Sequence, residues 1–258
     1  MAIEKFLSEL ERIAADRKIK TSVFLLHRLN SARKAHIESS PEDELRVRSL
    51  MLNIKLKPND ALRNDIFKKV SAYRTQKKET EQRITAQASQ KIRASSVIFL
   101  YGNPKKALKA IKLAKCRGLN FSVFTTDSGR SLKGIKAAEE VSRLNIEIRH
   151  FPDILAKEAL SKSDVVFFEP EAVTKEGKIL VPFGTNTILS EAKKRNAPSY
   201  CIYNHLDSNS KQVDEGGQNS LFVKEKPEEL RIRDVTAIIT GQGIMKPSEF
   251  ERASRLLF

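Results

Sequence analysis

Beyond Arg93 the chain settles into one repeating pattern. A short apolar run is followed by a turn and then by a helix-patterned stretch of about ten residues or more. The runs fall at 97–101, 121–124, 146–148, 164–168, 179–181, 199–203 and 235–239. Val97-Ile-Phe-Leu-Tyr101 has no polar alternation, which suits a strand covered on both faces. Strands separated by helices of that length pair in parallel through right-handed crossovers. The predicted architecture is therefore α/β: a Rossmann-like three-layer α/β/α domain with a mostly parallel sheet. The helices between the strands are expected at 104–118, closed by Gly118, and at 132–144, 154–160 and 185–195, with a last one from Ser248. Gly241-Gln-Gly243 reads as a turn, and 207–219 as a polar loop.

The residues before this pattern read as helices only. Phe6, Leu7, Leu10 and Ile13 recur at helical spacing, and Thr21 is a candidate N-cap for a helix carrying Phe24, Leu25, Leu29 and Ala32. Ser40-Pro41-Glu42-Asp43 has the order of a third helix start. Asn59 or Asp60 caps a long charged helix with Leu62, Ile66, Phe67, Val70 and Tyr73, and the polar stretch 75–91 reads as its solvated continuation. The expected division is a helical N-terminal domain over 1–84 and the Rossmann-like domain over 85–258.

Composition limits function. Of the 258 residues, 40% are hydrophobic and 31% charged, a globular balance. No apolar run reaches the roughly 18–20 residues of a membrane span, and the start does not read as a secretory signal, so no membrane partner is expected. Two cysteines, Cys116 and Cys201, are too few for a disulfide framework and read as packing residues. The four histidines lack ligand spacing, so no metal is expected, and the compartment read from these features is the cytoplasm. A net charge of +15 attracts polyanions, yet the basic residues are spread over nearly every helix. A solvated surface is the plainer reading, with RNA association kept as a third hypothesis.

In such a sheet, ligands bind beyond the carboxyl ends of the strands. That rule selects Gly102-Asn103-Pro104, Asp127-Ser128-Gly129-Arg130, Glu169-Pro170-Glu171, Gly184-Thr185-Asn186 and Asn204-His205. Gly184-Thr185-Asn186 is suited to an anion, since its amides and hydroxyl open a helix, although Gly-Thr is also an ordinary cap. Asp127, Glu169 and Glu171 are the carboxylates available for acid–base work, with solvated turns as the alternative. No Gly-x-Gly-x-x-Gly follows the first strand, and there is no P-loop or Gly-x-Ser-x-Gly, so no cofactor is expected.

These segments, in this order, resemble one family. It holds the alpha, beta and delta regulatory subunits of translation initiation factor 2B and the isomerases of ribose 1,5-bisphosphate and methylthioribose 1-phosphate. Asp164-Val-Val-Phe-Phe-Glu-Pro-Glu-Ala-Val173, Gly177 and Val181-Pro-Phe-Gly-Thr185 are similar to its D-V-V-x-x-G-A-D-A-V…G…N-K-x-G-T. Val123-Phe-Thr-Thr-Asp-Ser128 with Gly134, and 235–247, resemble two further segments. The resemblance covers about 85–258, with the helical N-terminal part matching only in kind. The isomerases carry a cysteine where Gly102 stands, an aspartate at Glu171, and Asn-Lys at Val181-Pro182. What the resemblance implies is a non-catalytic, regulatory-type protein that keeps an anion cleft. Its ligand or phosphate-binding residues would be Gly102, Asn103, Ser128, Arg130, Gly184, Thr185 and Asn186. The expected partners are a second copy in a homodimer, initiation factor 2 or related subunits, and a phosphorylated small molecule. The alternative is an altered phosphosugar aldose–ketose isomerase, with Glu171 as acid–base group and Asp127 assisting.

Overall fold

The computed structural model describes residues 2–39, 47, 50, 51, 54, 59–129, 132–173, 178–204 and 226–254. The expected third helix from Ser40, as well as Arg130, His205 and the loop at 207–219, lies largely or wholly outside them. The chain forms two compact units that divide between Glu79 and Thr80.

The first unit holds α1 (Ala2–Ala15), α2 (Ser22–Ser39) and the first part of α3 (Asn59–Ser89). Thr21 caps α2 as its position suggests: its Oγ1 accepts the Phe24 N–H at 3.4 Å. Phe6, Leu7, Leu10, Leu25, Leu29, Leu62, Ile66 and Val70 close the core. Phe67 lies off that stripe and is exposed. Arg63 is buried, and its guanidinium donates to the carbonyls of Ala14, Asp16 and Ile19, the last two at 2.8 Å. The corner between α1 and α2 is thus tied through its backbone oxygens.

α3 does not continue as a solvated rod. Beyond Glu79 it turns a second apolar face, Ile84 and Ala88, into the core of the second unit, and Thr80 and Ser89 are buried with them. The polar composition of 75–91 hides a stripe only one residue wide per turn.

The second unit is built on a seven-stranded sheet. Its parallel strands are β1 (Val97–Leu100), β2 (Ser122–Thr126), β3 (Glu147–Phe151), β4 (Val165–Phe168), β7 (Ser199–Ile202) and β9 (Ala237–Thr240). β10 (Gly243–Met245) adds one antiparallel strand through the turn at Gly241-Gln242. The spatial order is β10-β9-β7-β4-β1-β2-β3. β1 therefore lies between β2 and β4, and the winding reverses there.

α4 (Lys105–Cys116) and α5 (Lys133–Ser142) cover one face together with the end of α3. α6 (Ala156–Ser161), α7 (Thr185–Lys194) and α8 (Pro247–Ser254) cover the other. Phe167 and Phe168 point to opposite faces and are fully buried. Each contributes about 1.5–3 kcal/mol of burial.

Two expectations are corrected. The run at 179–181 does not join the main sheet. It is β6 (Ile179–Val181), which pairs antiparallel with β5 (Ala172–Val173) and β8 (Glu228–Glu229) in a separate three-stranded sheet. Cys116 is exposed, because it ends α4 on the solvent side, whereas Cys201 is buried as expected.

Candidate functional site

The reversal of winding places the crevice between the carboxyl ends of β1 and β4. Tyr101-Gly102-Asn103 leaves β1 there, and Glu169-Pro170-Glu171 leaves β4. Most of the predicted positions meet around this edge. Gly102, at φ +79°, donates its N–H to Ser128 Oγ at 2.8 Å. Tyr101 Oη donates to the Phe183 carbonyl at 2.6 Å, which brings the Pro182-Phe183-Gly184 turn against β1. A Cβ on Gly184, at φ +87°, would sit 2.3 Å from Tyr101 Oη, so only glycine permits this approach. Glu171 forms an ion pair with Lys133, the first residue of α5, and its own N–H donates to the Leu180 carbonyl at 2.8 Å.

Asp127 is drawn elsewhere. His150 Nε2 lies 2.9 Å from Asp127 Oδ1, and His150 Nδ1 lies 2.8 Å from Thr125 Oγ1. Each member of the predicted acid–base pair thus has its own partner, Asp127 on β3 and Glu171 on α5.

The donors expected to receive an anion are engaged within the chain. Asn186 N–H donates to Glu228 Oε1 at 2.7 Å, and Thr185 Oγ1 donates to the Pro182 carbonyl. The Thr187 and Ile188 amides turn back to the Gly184 carbonyl, both at 3.1 Å. Asn186 Nδ2 donates to the Glu229 carbonyl at 2.9 Å, and its Oδ1 accepts the Arg231 N–H at 2.8 Å, which locks β8 onto α7.

A similar device closes the start of α4 and the loop that leads from β2 towards α5. Glu169 accepts the Lys106 and Ala107 amides at the start of α4 and pairs with the Lys106 ammonium at 3.2 Å. Asp153 accepts the Ser128 amide at 2.9 Å and the Gly129 amide at 2.7 Å. A carboxylate at such a position meets the same N–H donors and positive helix end that a phosphate would meet.

Burial raises the Glu169 carboxyl above the usual carboxylate range, with the Lys106 charge pulling the other way. Burial likewise pushes the Cys201 thiol far up, aided by the charge of Glu169, so it is a packing group and not a nucleophile. Two acceptors near the crevice, Asn103 Oδ1 and Thr126 Oγ1, are buried without a partner among the described residues.

Lys106, Lys133, Asp153 and Glu228 were not among the expected site residues. Lys106 and Lys133 open helices that follow β1 and β2, so the strand-end rule could have reached them. Asp153 could have been found in the same way after β3. Glu228 had no local signal.

Comparison with known proteins follows the same outline. The fold is similar to that of 5-methylthioribose 1-phosphate isomerase from Pyrococcus horikoshii OT3. The TM-score is 0.73 at 15% identity, over 98% of this chain and 81% of that one. It is equally similar to the translation initiation factor eIF-2B of the same organism, at 0.72 and 18%, over 95% and 90%. A chain of the tetrameric eIF2B-beta2-delta2 complex from C. thermophilum gives 0.68 and 13%, over 97% and 86%. In sequence, the chain is 29% identical over 118 residues to the translation initiation factor eIF2B subunit alpha of Dictyostelium discoideum. That stretch is 46% of this chain and only 37% of the amoeba protein. The model of the initiation factor 2 subunit family matches residues 4–219, so the helical N-terminal unit is included and not merely helical in kind. The chain therefore belongs to the initiation factor 2 subunit family.

Proposed function

We propose that this chain is a non-catalytic, regulatory-type member of the family that works in the cytoplasm through protein contacts. One observation carries the reading. At the carboxyl edge of the sheet, Glu169, Asp153 and Glu228 occupy the amide donors that a sugar phosphate would need. The resemblance to the isomerases points the same way. Gly102 offers no thiol, Val181 is packed in the core where the isomerases carry a polar residue, and Glu171 is paired with Lys133. Losing a positioned acid or base typically costs about 10²-fold or more in rate.

The same edge offers surface for contact. Leu132, Ile135, Ile154, Leu155 and Phe183 follow β2, β3 and β6 and remain exposed, Ile154 at 89%. Large apolar side chains left in water near one edge suit a protein partner. A second copy of this chain or a related initiation factor 2B subunit is the partner the family favours.

The test has two arms. Purified protein is assayed with ribose 1,5-bisphosphate and with methylthioribose 1-phosphate, and is used to capture initiation factor 2 and its relatives. The expected outcome is capture without turnover. Turnover that vanishes in Glu171→Gln would overturn the reading in favour of an isomerase with a rearranged site.

A further inference from the structure

The opposite edge of the same sheet holds a second cavity, which takes in only the first two residues, Asp164 and Val165, of the family segments. The amino ends of β1, β4 and β7 border an open space of about 550 Å³. Lys91, Arg93, Ser95, Asp164, Asn196 and Tyr200 line it. Its size lies within the about 300–1,000 Å³ of small-molecule pockets.

The charges here are arranged in the reverse sense to those at the carboxyl edge. Neither Lys91 nor Arg93 forms an ion pair among the described residues. The Lys91 ammonium stands 5.6 Å from the centroid of the Tyr200 ring, which steadies it without neutralising it. The same ring lies 5.8 Å from that of Phe167, which holds it in place as part of the cavity wall. Asp164 is the one carboxylate in the lining, and its Oδ2 already accepts the Val97 N–H at 2.7 Å. Burial pushes the Tyr200 phenol up, against the pull of the Arg93 charge, so it stays a protonated hydroxyl donor at neutral pH.

Neutral hydrogen-bonding groups complete the wall. Ser95 and Asn196 are both left-handed, at φ +59° and +56°. For serine that conformation is uncommon, and strained backbone is often found where a chain shapes a site. Two unneutralised cations, one hydroxyl donor and neutral polar groups around a small concavity make an oxyanion receptor with room for an organic remainder.

We propose that this amino-edge cavity binds a small phosphate monoester. Lys91 and Arg93 take the phosphate, and Ser95 and Asn196 take the hydroxyls of its organic part. A phosphate monoester carries close to two negative charges at neutral pH where each phosphodiester of RNA carries one, so it suits the two cations better.

Isothermal titration of the full chain with inorganic phosphate, and then with glycerol 3-phosphate, tests the proposal. Saturable binding is expected, tighter for the ester. Lys91→Gln and Arg93→Gln should each weaken it roughly tenfold or more. Lys136→Gln, which removes the same charge from an exposed position on α5, should leave it unchanged. Circular dichroism checks that the variants stay folded. The proposal is overturned by an absence of saturable heat, or by equal weakening in Lys136→Gln, which would mean diffuse attraction. It is also overturned if an RNA octamer without terminal phosphates binds more tightly than the ester and loses that binding steeply with salt.

Discussion

Replacing Glu169 with alanine is the most direct way to ask whether the chain closes its own helix entrances. The side chain accepts the Lys106 and Ala107 amides and faces the Lys106 ammonium, with only 14% of its own surface and 17% of the lysine's exposed. Loss of the cap costs about 1 kcal/mol. Leaving a buried cation unpaired costs about 3–5 kcal/mol, which the residual exposure of Lys106 reduces to about 2. The sum is about 3 kcal/mol. For a unit of this size it lowers Tm by roughly 6–12 °C. Thermal and urea unfolding of the full chain, followed by circular dichroism, reads this directly. Added phosphate or sulfate should stabilise Glu169→Ala more than it stabilises the wild type, because an external anion can then reach the start of α4. A loss below about 1 kcal/mol would refute the assignment of Glu169 as the internal substitute for a bound anion.

The remaining predictions concern the same edge. Burial places the Glu169 carboxyl above its ordinary value of 4.5, so in the window above 4.5 the folded state holds a proton that the unfolded state has released. Its stabilising contribution is full below 4.5 and is lost as pH rises. Measured by urea midpoints, the wild type should lose stability relative to Glu169→Gln as pH increases through that window, and the opposite slope would show that the Lys106 charge outweighs burial. Gly184→Ala puts a Cβ 2.3 Å from Tyr101 Oη at φ +87° and should cost about 2–3 kcal/mol by breaking the bond to the Phe183 carbonyl. Tyr101→Phe combined with Gly184→Ala should recover part of that loss, since the clashing hydroxyl is gone, and a double variant no better than Gly184→Ala would rule out the contact as the cause.

The central strands were legible because they are dense apolar runs followed by a helix period, as in 97–101 and 164–168. β5 and β8 were not, because Ala172–Val173 and Glu228–Glu229 are too short to show any period. That omission also hid the most consequential contact at the candidate site. Glu228 reaches Asn186 across 42 positions in sequence, and nothing near Asn186 indicates that its amide is already spoken for. Thr21, Gly102 and Gly184 were readable for the opposite reason, since a cap or a left-handed turn is a local demand on residue type. The second face of α3 was missed because Thr80, Ile84, Ala88 and Ser89 supply only a thin stripe in a charged sequence. A strand-end rule finds the loops where a ligand could sit, but not whether their donors are vacant.

The grip of Arg63 on the corner after α1 has an evolutionary consequence. The guanidinium reads only main-chain oxygens, those of Ala14, Asp16 and Ile19. Exposed neighbours such as Arg17 and Lys18 can therefore drift in identity without loosening the bend. Arg63 itself has no such freedom, for a lysine could not span three carbonyls with one ammonium. Variation among descendants of this sequence should therefore be lopsided here, permissive along the bend and closed at the single side chain that ties it.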